Sequence, residues 1–332
     1  MPAPACSADE FARIWHRHQG HAASVAAELG MVERPVFARR ARLEAMGYEL
    51  PCGQEPPSNI TKRSAYPTRQ DVTLQDGVAV VFSDRHYWPG DGITPAEAAL
   101  LTLLPRLNPD LLICNGDVYD GAAQSRHAPL GWERKPDVRD ELGAVQGGMA
   151  RIAAAAPQAR KLRTVGNHDR RFDYRLAQVA PDYRGIAGTR LSDHLPDWPE
   201  SWAAHVNAGG PGHTVIKHKL RQGVTAGRNN GLAAGTHIVT AHTHALDVTC
   251  LEDYRGRRYS VQTGMLGDPN SPAFEYGEDA PIKGRPGFVV LTWQSGLLLP
   301  PEVCEVDDAG VAWFRGAPVA LRFRVRAGSR EA

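Results

Sequence analysis

Cysteine is scarce and scattered: five thiols stand at positions 6, 52, 114, 250 and 304, with no C-x-x-C pair among them. That spacing excludes a disulfide scaffold and an all-thiolate zinc site, so reduced structural thiols are expected, with Cys114 packed inside a strand. No run approaches the ~20 apolar residues of a membrane span, which excludes a transmembrane helix. A charged-then-apolar leader is also missing, so a cytoplasmic protein is expected. The formal net charge of +1 gives no global attraction to nucleic acid, and any such affinity has to be local. Internal repeats and low-complexity tracts are absent as well, so the chain is not a repeat array. What remains is ordinary globular composition over 332 residues, enough for one large domain and a small one.

What is present is a series of short clusters of metal-type ligands. Asp84-Arg85-His86 follows the apolar run VAVVF, and His242-Thr243-His244 follows THIVTA. Side chains at i and i+2 of a strand share a face, so each pair is expected to converge on one point. Between them, DLLICNGDVYD supplies Asp117 and Asp120, and KLRTVGNHD supplies Asn167, His168 and Asp169. Both follow apolar strands, which puts their polar ends at the carboxyl edge of a sheet, where open α/β folds hold ligands. Asp, Asn and His without Cys suit borderline cations such as Mn²⁺, Fe²⁺ or Zn²⁺. Taken singly, each block is weak: a strand-end Asp or a GD pair commonly marks a turn, and a lone His is more often a half-buried residue with satisfied ring nitrogens. Four blocks in order outweigh those readings.

In that order the blocks resemble the calcineurin-like metallophosphoesterase superfamily, whose pattern runs D-x-H, G-D-x-x-D, G-N-H-[DE], a lone His and G-H-x-H. Here they stand as Asp84/His86, Gly116 to Asp120, Gly166 to Asp169, His218 and Ala241 to His244, and the resemblance covers roughly residues 72–299. The resemblance implies two divalent metal ions, manganese first, with iron, zinc or nickel as alternatives. It assigns Asp84, His86 and His244 to one metal, Asn167, His218 and His242 to the other, and Asp117 to both. Such a bridge holds two cations about 3.5–4 Å apart and lets a bridging hydroxide form near neutral pH for in-line attack. His168 resembles the family's general acid, with Asp120 orienting its ring. His194, His205 and His213 compete with His218 for the lone-His place. His218 is preferred because it closes the alternating run TVIKH before a Gly- and Asn-rich loop. Two departures stand out. Gly121 occupies the place where the Ser/Thr protein phosphatase branch carries a phosphate-binding Arg, which argues against a protein phosphatase. Ala241 replaces a Gly, which raises a backbone question.

Residues 1–50 predict a helix-turn-helix-like domain of three helices. Ser7 caps ADEFARIWHRHQ, Gly20 ends it, SVAAELG follows, and ERPVFARRARLEAMG ends at Gly47, with Pro35 in its first turn. Ala26-Ala27-Glu28-Leu29-Gly30 has the small residues and Gly of a helix-to-turn step. In the third helix Val36, Phe37, Leu43 and Met46 form the expected core stripe, and Arg34, Arg39, Arg40 and Arg42 are candidate DNA contacts. Residues 51–70, dense in Pro and polar side chains, predict a linker. Residues 71–300 form the metallophosphoesterase domain and 301–332 a set of C-terminal strands and a tail. DVTL and VAVVF around Gln75-Asp76-Gly77 predict a hairpin. The expected fold class is α/β, two packed mixed β-sheets flanked by helices, preceded by the small three-helix domain. Ser125-Arg126-His127 and the loop 221–231, carrying Arg228, Asn229 and Asn230, are candidate substrate contacts at the site mouth.

The leading expectation is a phosphodiesterase or nuclease acting on DNA, similar to phage and DNA-repair members of the superfamily. The alternative is a phosphatase or small-phosphodiester hydrolase whose N-terminal module contacts a protein. A transcription factor or phage packaging accessory with a vestigial metal site is disfavoured by the intact ligand set. No membrane partner is expected, and the oligomeric state is open, a homodimer included.

Overall fold

A computed structural model describes residues 6–50, 66–125, 135–277, 284–321 and 323. It divides the chain into two compact units, Met1–Ala65 and Tyr66–Ala332. The first contains helices α1 (Ala8–Arg17), α2 (Ala22–Glu28) and α3 (Glu33–Ala45). Ser7 caps α1, its hydroxyl accepting from the Glu10 N–H. Gly20 and Gly30, at φ 78° and 63°, turn the chain after α1 and α2. Phe11, Trp15, Val25, Val36 and Leu43 close the core.

The apolar stripe of α3 is narrower than its sequence predicts, because Phe37 and Met46 are 51% and 66% exposed. Val36 and Leu43, seven residues apart, share the inward face; Phe37 is a helical step away from it, and Met46 caps the helix end. Two of the four arginines are held within the unit. Arg39 and Arg40 lie over the rings of Phe11 and Trp15, at 5.1 and 5.3 Å from their centroids. Arg39 also donates to the Cys6 carbonyl, and Arg40 donates to Glu44. Arg34 and Arg42 face solvent.

The second unit is mixed α/β, with two mixed sheets, as the sequence predicts. In the larger sheet β2 (Gly77–Phe82), β3 (Leu111–Cys114), β4 (Arg160–Thr164) and β5 (Glu200–Ser201) run parallel. From β2 it continues antiparallel through β11 (Gly287–Gln294), β13 (Glu302–Val306), β14 (Ala312–Phe314) and β15 (Ala317–Pro318), with the short β12 (Leu297–Leu298) also pairing antiparallel with β11. The strands after residue 300 therefore extend this sheet. The smaller sheet has the order β1 (Gln70–Val72), β6 (Ala204–Val206), β7 (Thr214–Ile216), β8 (His237–Thr240), β10 (Gly256–Thr263), β9 (Leu246–Asp253).

Strand periodicity explains the layering. Ala79 and Val81 of β2 pack with Val239 and Val261 in the interior shared by the two sheets. Val80 and Phe82 face the other way, into a core with Leu100 and Leu104 of α4 (Pro95–Leu107) and Met149 of α5 (Val138–Ala155). Cys114 is fully buried on that second face. A strand covered on both faces needs an unbroken apolar run, which VAVVF supplies.

The same fact removes the predicted hairpin. β1 pairs in parallel with β6 in the smaller sheet, whereas β2 enters the larger one. Gln75 and Asp76 instead receive hydrogen bonds from Gly296 N–H and Ser295 N–H. Residues 66–70, expected in the linker, also belong to this unit: Tyr66 packs edge-on to Trp202 at 5.0 Å and donates to Asp173. Residues 51–65 lie outside the described residues. Among the described residues no helix is long and apolar enough to cross a membrane.

Candidate functional site

The carboxyl ends of five strands deliver polar side chains to one place. Asp84 and His86 follow β2, Asp117 and Asp120 follow β3, Asn167 and His168 follow β4, His218 follows β7, and His242 and His244 follow β8. Three sets of ligand atoms lie within 4.8 Å of one another: Asp84/His86/His244, Asp117/His218/His242 and His86/Asp117/His168. Asn167 joins the second set, its Oδ1 3.2 Å from His218 Nε2. Of the competing histidines, His205 and His213 contact each other at 3.0 Å in the smaller sheet, and His194 contacts the Gly188 carbonyl.

Convergence does not come from the strand pleat, as the i, i+2 spacing suggested. β2 ends at Phe82 and β8 at Thr240, so all four residues lie in the loops beyond. His242 and His244 even serve different sets. The loops are held in the left-handed backbone region: among the described residues ten non-glycines have positive φ, and five of these are Asp84, His86, Asp117, His242 and His244. Such conformations cost roughly 1–3 kcal/mol each and gather where function demands them. Ala241 is not among these residues, so the absence of Gly there carries no penalty; His242, at φ 71°, takes the turn.

Close approach requires glycine at two further positions, one of which, Gly116, also has positive φ, at 86°. A Cβ at Gly166 would fall 2.0 Å from Asp117 Oδ1, and one at Gly116 would fall 2.7 Å from His218 Nδ1. The loop containing Asp117 is tied to the loop containing His168 by Asp169. Its carboxylate accepts from the N–H groups of Asp117, Val118, Tyr119 and Gly166 at 3.0–3.2 Å and is braced by Arg163. The sequence marks this role only by the last letter of the GNHD block.

Ring orientation follows one rule. His86 Nδ1 lies 2.9 Å from Asp120 Oδ1, and His218 Nδ1 lies 2.7 Å from the Asn115 carbonyl, leaving each Nε2 to face the cluster. His86 Nε2 and Asp84 Oδ1 are buried without a hydrogen-bond partner. Unsatisfied buried polar atoms cost about 1–3 kcal/mol each, and a cation placed among them would satisfy both. The donor set, nitrogen and oxygen without sulfur, fits a borderline divalent ion.

The charges are strongly biased. Burial opposes ionisation of Asp117, but His218 and His168 overcome it and hold the carboxyl well below the usual range. Burial likewise opposes a charge on His218, yet Asp117 lifts its pKa to about 10. His242 goes the other way, to about 4, through burial and the neighbouring His218.

Asp120 does more than its sequence assignment. One carboxylate oxygen lies 2.9 Å from His86 Nδ1 and 3.0 Å from His168 Nδ1, so it orients a candidate ligand and the candidate acid together. Burial disfavours a charge on His168, but Asp117 and Asp120 outweigh it and raise the pKa above the ordinary value. Arg171 is a residue the sequence did not single out. Its Nη1 donates to the Asp120 carbonyl at 2.8 Å, and its Nη2 stands 3.3 Å from His168 Nε2. The side chain covers Gly121, where a Cβ would come within 2.8 Å of it. The only signal was its place three residues after His168 at a helix start.

Glu141 of α5 accepts from the Gly121 N–H and supports the same loop. Burial pushes its carboxyl up to about 8. A carboxyl that is harder to ionise when folded stabilises fully below its ordinary value near 4.5, and that contribution is lost as pH rises towards about 8. Glu141→Gln is therefore expected to flatten the fall in urea stability between pH 5 and 8 relative to wild type, in parallel unfolding titrations. Identical slopes would show that Glu141 titrates normally.

The remaining candidates lie elsewhere. Arg126 and His127 are outside the described residues. The segment 221–231 is not simply a loop, because helix α7 (Ala226–Ala234) begins within it. Asn230 is buried and committed to Arg221 N–H and Thr240. Ala-rich sequence beyond the two asparagines continues the helix until Gly235, at φ 69°. Arg228 is exposed on α7 and makes no hydrogen bond or ion pair with the cluster among the described residues. Arg34, Arg39, Arg40 and Arg42 belong to the first unit.

The profile of the calcineurin-like phosphoesterase family matches residues 78–294. No curated protein sequence matches the chain significantly. Among solved structures it is similar to Yfce, a phosphoesterase from E. coli, at 16% identity over 68% of this chain and 97% of that one, with a TM-score of 0.30. It is similar to the nuclease MPE of Pseudomonas putida at 14% identity, over 67% of this chain and 86% of that one, with a TM-score of 0.29.

Proposed function

The chain belongs to the calcineurin-like phosphoesterase family and is a metal-dependent phosphoric ester hydrolase, and from that premise we propose that it is a dinuclear phosphodiesterase or nuclease acting on DNA. The observation that carries the proposal is the convergence of seven N and O ligands, among them Asp84 Oδ1 and His86 Nε2, which are buried without a hydrogen-bond partner. The family implies divalent ions, and in this reading Asp84, His86 and His244 hold one, Asn167, His218 and His242 the other, and Asp117 both. When bound, two such ions supply a water-derived nucleophile at neutral pH and neutralise charge on the phosphoryl group. His168 gives its proton to the leaving oxygen, Asp120 keeps the ring aimed, and Arg171 adds positive charge on that side. Manganese is the proposed metal, with iron, zinc and nickel as the alternatives to be separated by loading.

DNA as the substrate rests on the first unit. Its α2, left-handed Gly30 and α3 support a helix-turn-helix reading, in which Arg34 and Arg42 offer exposed guanidinium groups to phosphates. A second reading has its own observation: Phe37 and Met46 are exposed on α3 while Arg39 and Arg40 are engaged internally. Those features favour a protein contact, with a phosphatase or small-phosphodiester hydrolase behind it.

Removing residues 1–65 separates the two. Hydrolysis of bis(p-nitrophenyl) phosphate should be retained, since every assigned ligand lies in the second unit. Affinity for duplex DNA should fall, and with it the slope of log affinity against log salt, which counts released counterions. An Arg34→Gln/Arg42→Gln full-length variant should follow the truncation. Equal affinity and equal slope in all three proteins would hand the module to a protein partner.

A further inference from the structure

We propose that the cavity beside Asn167 and His218 is a second phosphate subsite, which takes the phosphate next to the scissile one along an oligonucleotide strand. The inference rests on the phosphodiesterase reading and names the feature of the substrate that the site selects. The cavity measures about 270 Å³ and runs from Asn167 and His218 to Arg170, Lys217, Lys219 and Trp202. Pockets for whole small molecules span about 300–1,000 Å³, so this one suits a phosphate with part of its sugar.

Its charge is the argument. Among the described residues no carboxylate lines the cavity, and none of its three cations is ion-paired. The buried arginines of the unit, by contrast, are each paired with acids: Arg85 with Glu97, Arg163 with Asp169 and Glu200, Arg258 with Asp253. Three unneutralised cations around one concavity repel one another and concentrate an anionic ligand there. Arg170 is fixed without an acid. Its guanidinium lies over the rings of Tyr174 and Trp202, 4.5 and 5.2 Å from their centroids, and donates to the Tyr174 hydroxyl, contacts that hold it without neutralising its charge. Lys217 and Lys219 flank His218, so an anion held by them sits one residue from a proposed metal ligand.

A second phosphate has two sources, the next nucleotide of a strand or the terminal phosphate of a small nucleotide, and the test distinguishes them. The probes are the p-nitrophenyl esters of thymidine 5′-phosphate and thymidine 3′-phosphate. Each is prepared with its remote hydroxyl free, phosphorylated, or carrying a methyl phosphodiester. In one of the two polarities both phosphorylated forms should exceed the free form in kcat/KM by about tenfold, the worth of a charge-assisted contact. In full-length Lys217→Gln/Lys219→Gln that ratio should fall towards one, with metal content equal to wild type. Acceleration by the terminal phosphate alone would overturn the strand assignment. No acceleration in either polarity, a ratio that survives the double substitution, or loss of metal in the variant would overturn the subsite. If wild type cleaves none of the esters, the phosphodiesterase reading fails by itself. The subsite is then judged on binding of thymidine 3′,5′-bisphosphate, which must still weaken about tenfold in the double variant.

Discussion

Asp117→Asn is expected to strip both metal positions and abolish hydrolysis of every phosphoester. The residue is shared by two of the three ligand sets, with Oδ2 3.0 Å from His218 Nε2 and 3.9 Å from His86 Nε2. Its Oδ1 is already spent on the His168 N–H at 2.8 Å. An amide offers one acceptor and an uncharged NH₂ group, so it can keep the His168 contact or face a cation, but not both. Losing an outer support of a ligand costs about 10–100-fold in metal affinity, and losing a charged bridge should cost more. Folding is a separate matter. His218 and His168 favour the Asp117 charge despite its burial, so the neutral amide should cost the metal-free unit some stability, and folding of the variant is checked first by circular dichroism. Metal analysis of the folded variant decides the outcome, and two equivalents per chain would remove Asp117 from the bridging role.

The family and the ligand blocks were legible because their residue types are dictated by chemistry: few side chains bind a borderline cation, and the loops after parallel strands are where an α/β sheet can present them. Fold class was legible for a related reason, since VAVVF, DLLIC and GFVVLTW are the runs that strands buried on both faces require. The mechanism of convergence was not. Left-handed backbone at Asp84, His86, Asp117, His242 and His244 is maintained by the surrounding packing, and nothing in a D-x-H string announces it.

Long-range commitments were hidden in the same way. Arg39 and Arg40 look like free basic residues in a helix, but Phe11 and Trp15, more than twenty positions earlier, take up their guanidinium groups. DVTL and VAVVF looked like hairpin partners because they are adjacent, yet their different burial sends them to different sheets. Arg170 and Arg171 were indistinguishable in sequence. The first turn of α6 (Arg170–Val179) rotates Arg170 towards Trp202 and Arg171 towards His168. A helical step of about 100° separates neighbours, so adjacent arginines serve different sides of one site.

His168→Ala is expected to retain both metals and to slow turnover by about 10²–10⁴-fold, the usual contribution of a positioned general acid. The ring is placed for that work: Nδ1 is anchored on Asp120, at 3.0 Å from both its carboxylate and its carbonyl, which leaves Nε2 as the nitrogen able to reach a leaving oxygen. Arg171 stands 3.3 Å from that nitrogen, where it can attract the departing anion. The competing role is ligation, because His168 also lies within coordinating distance of His86 and Asp117. Leaving-group dependence separates the two. A p-nitrophenolate departs with little help, so the variant should lose much less on bis(p-nitrophenyl) phosphate than on a dinucleotide, whose alkoxide must be protonated as it leaves. A ligand would show no such contrast: removing it would lower metal content and depress both substrates alike. Rates on the two substrates, measured beside metal content in one preparation of His168→Ala, therefore assign the residue. Equal losses accompanied by metal depletion would make it a ligand and leave proton donation to another group.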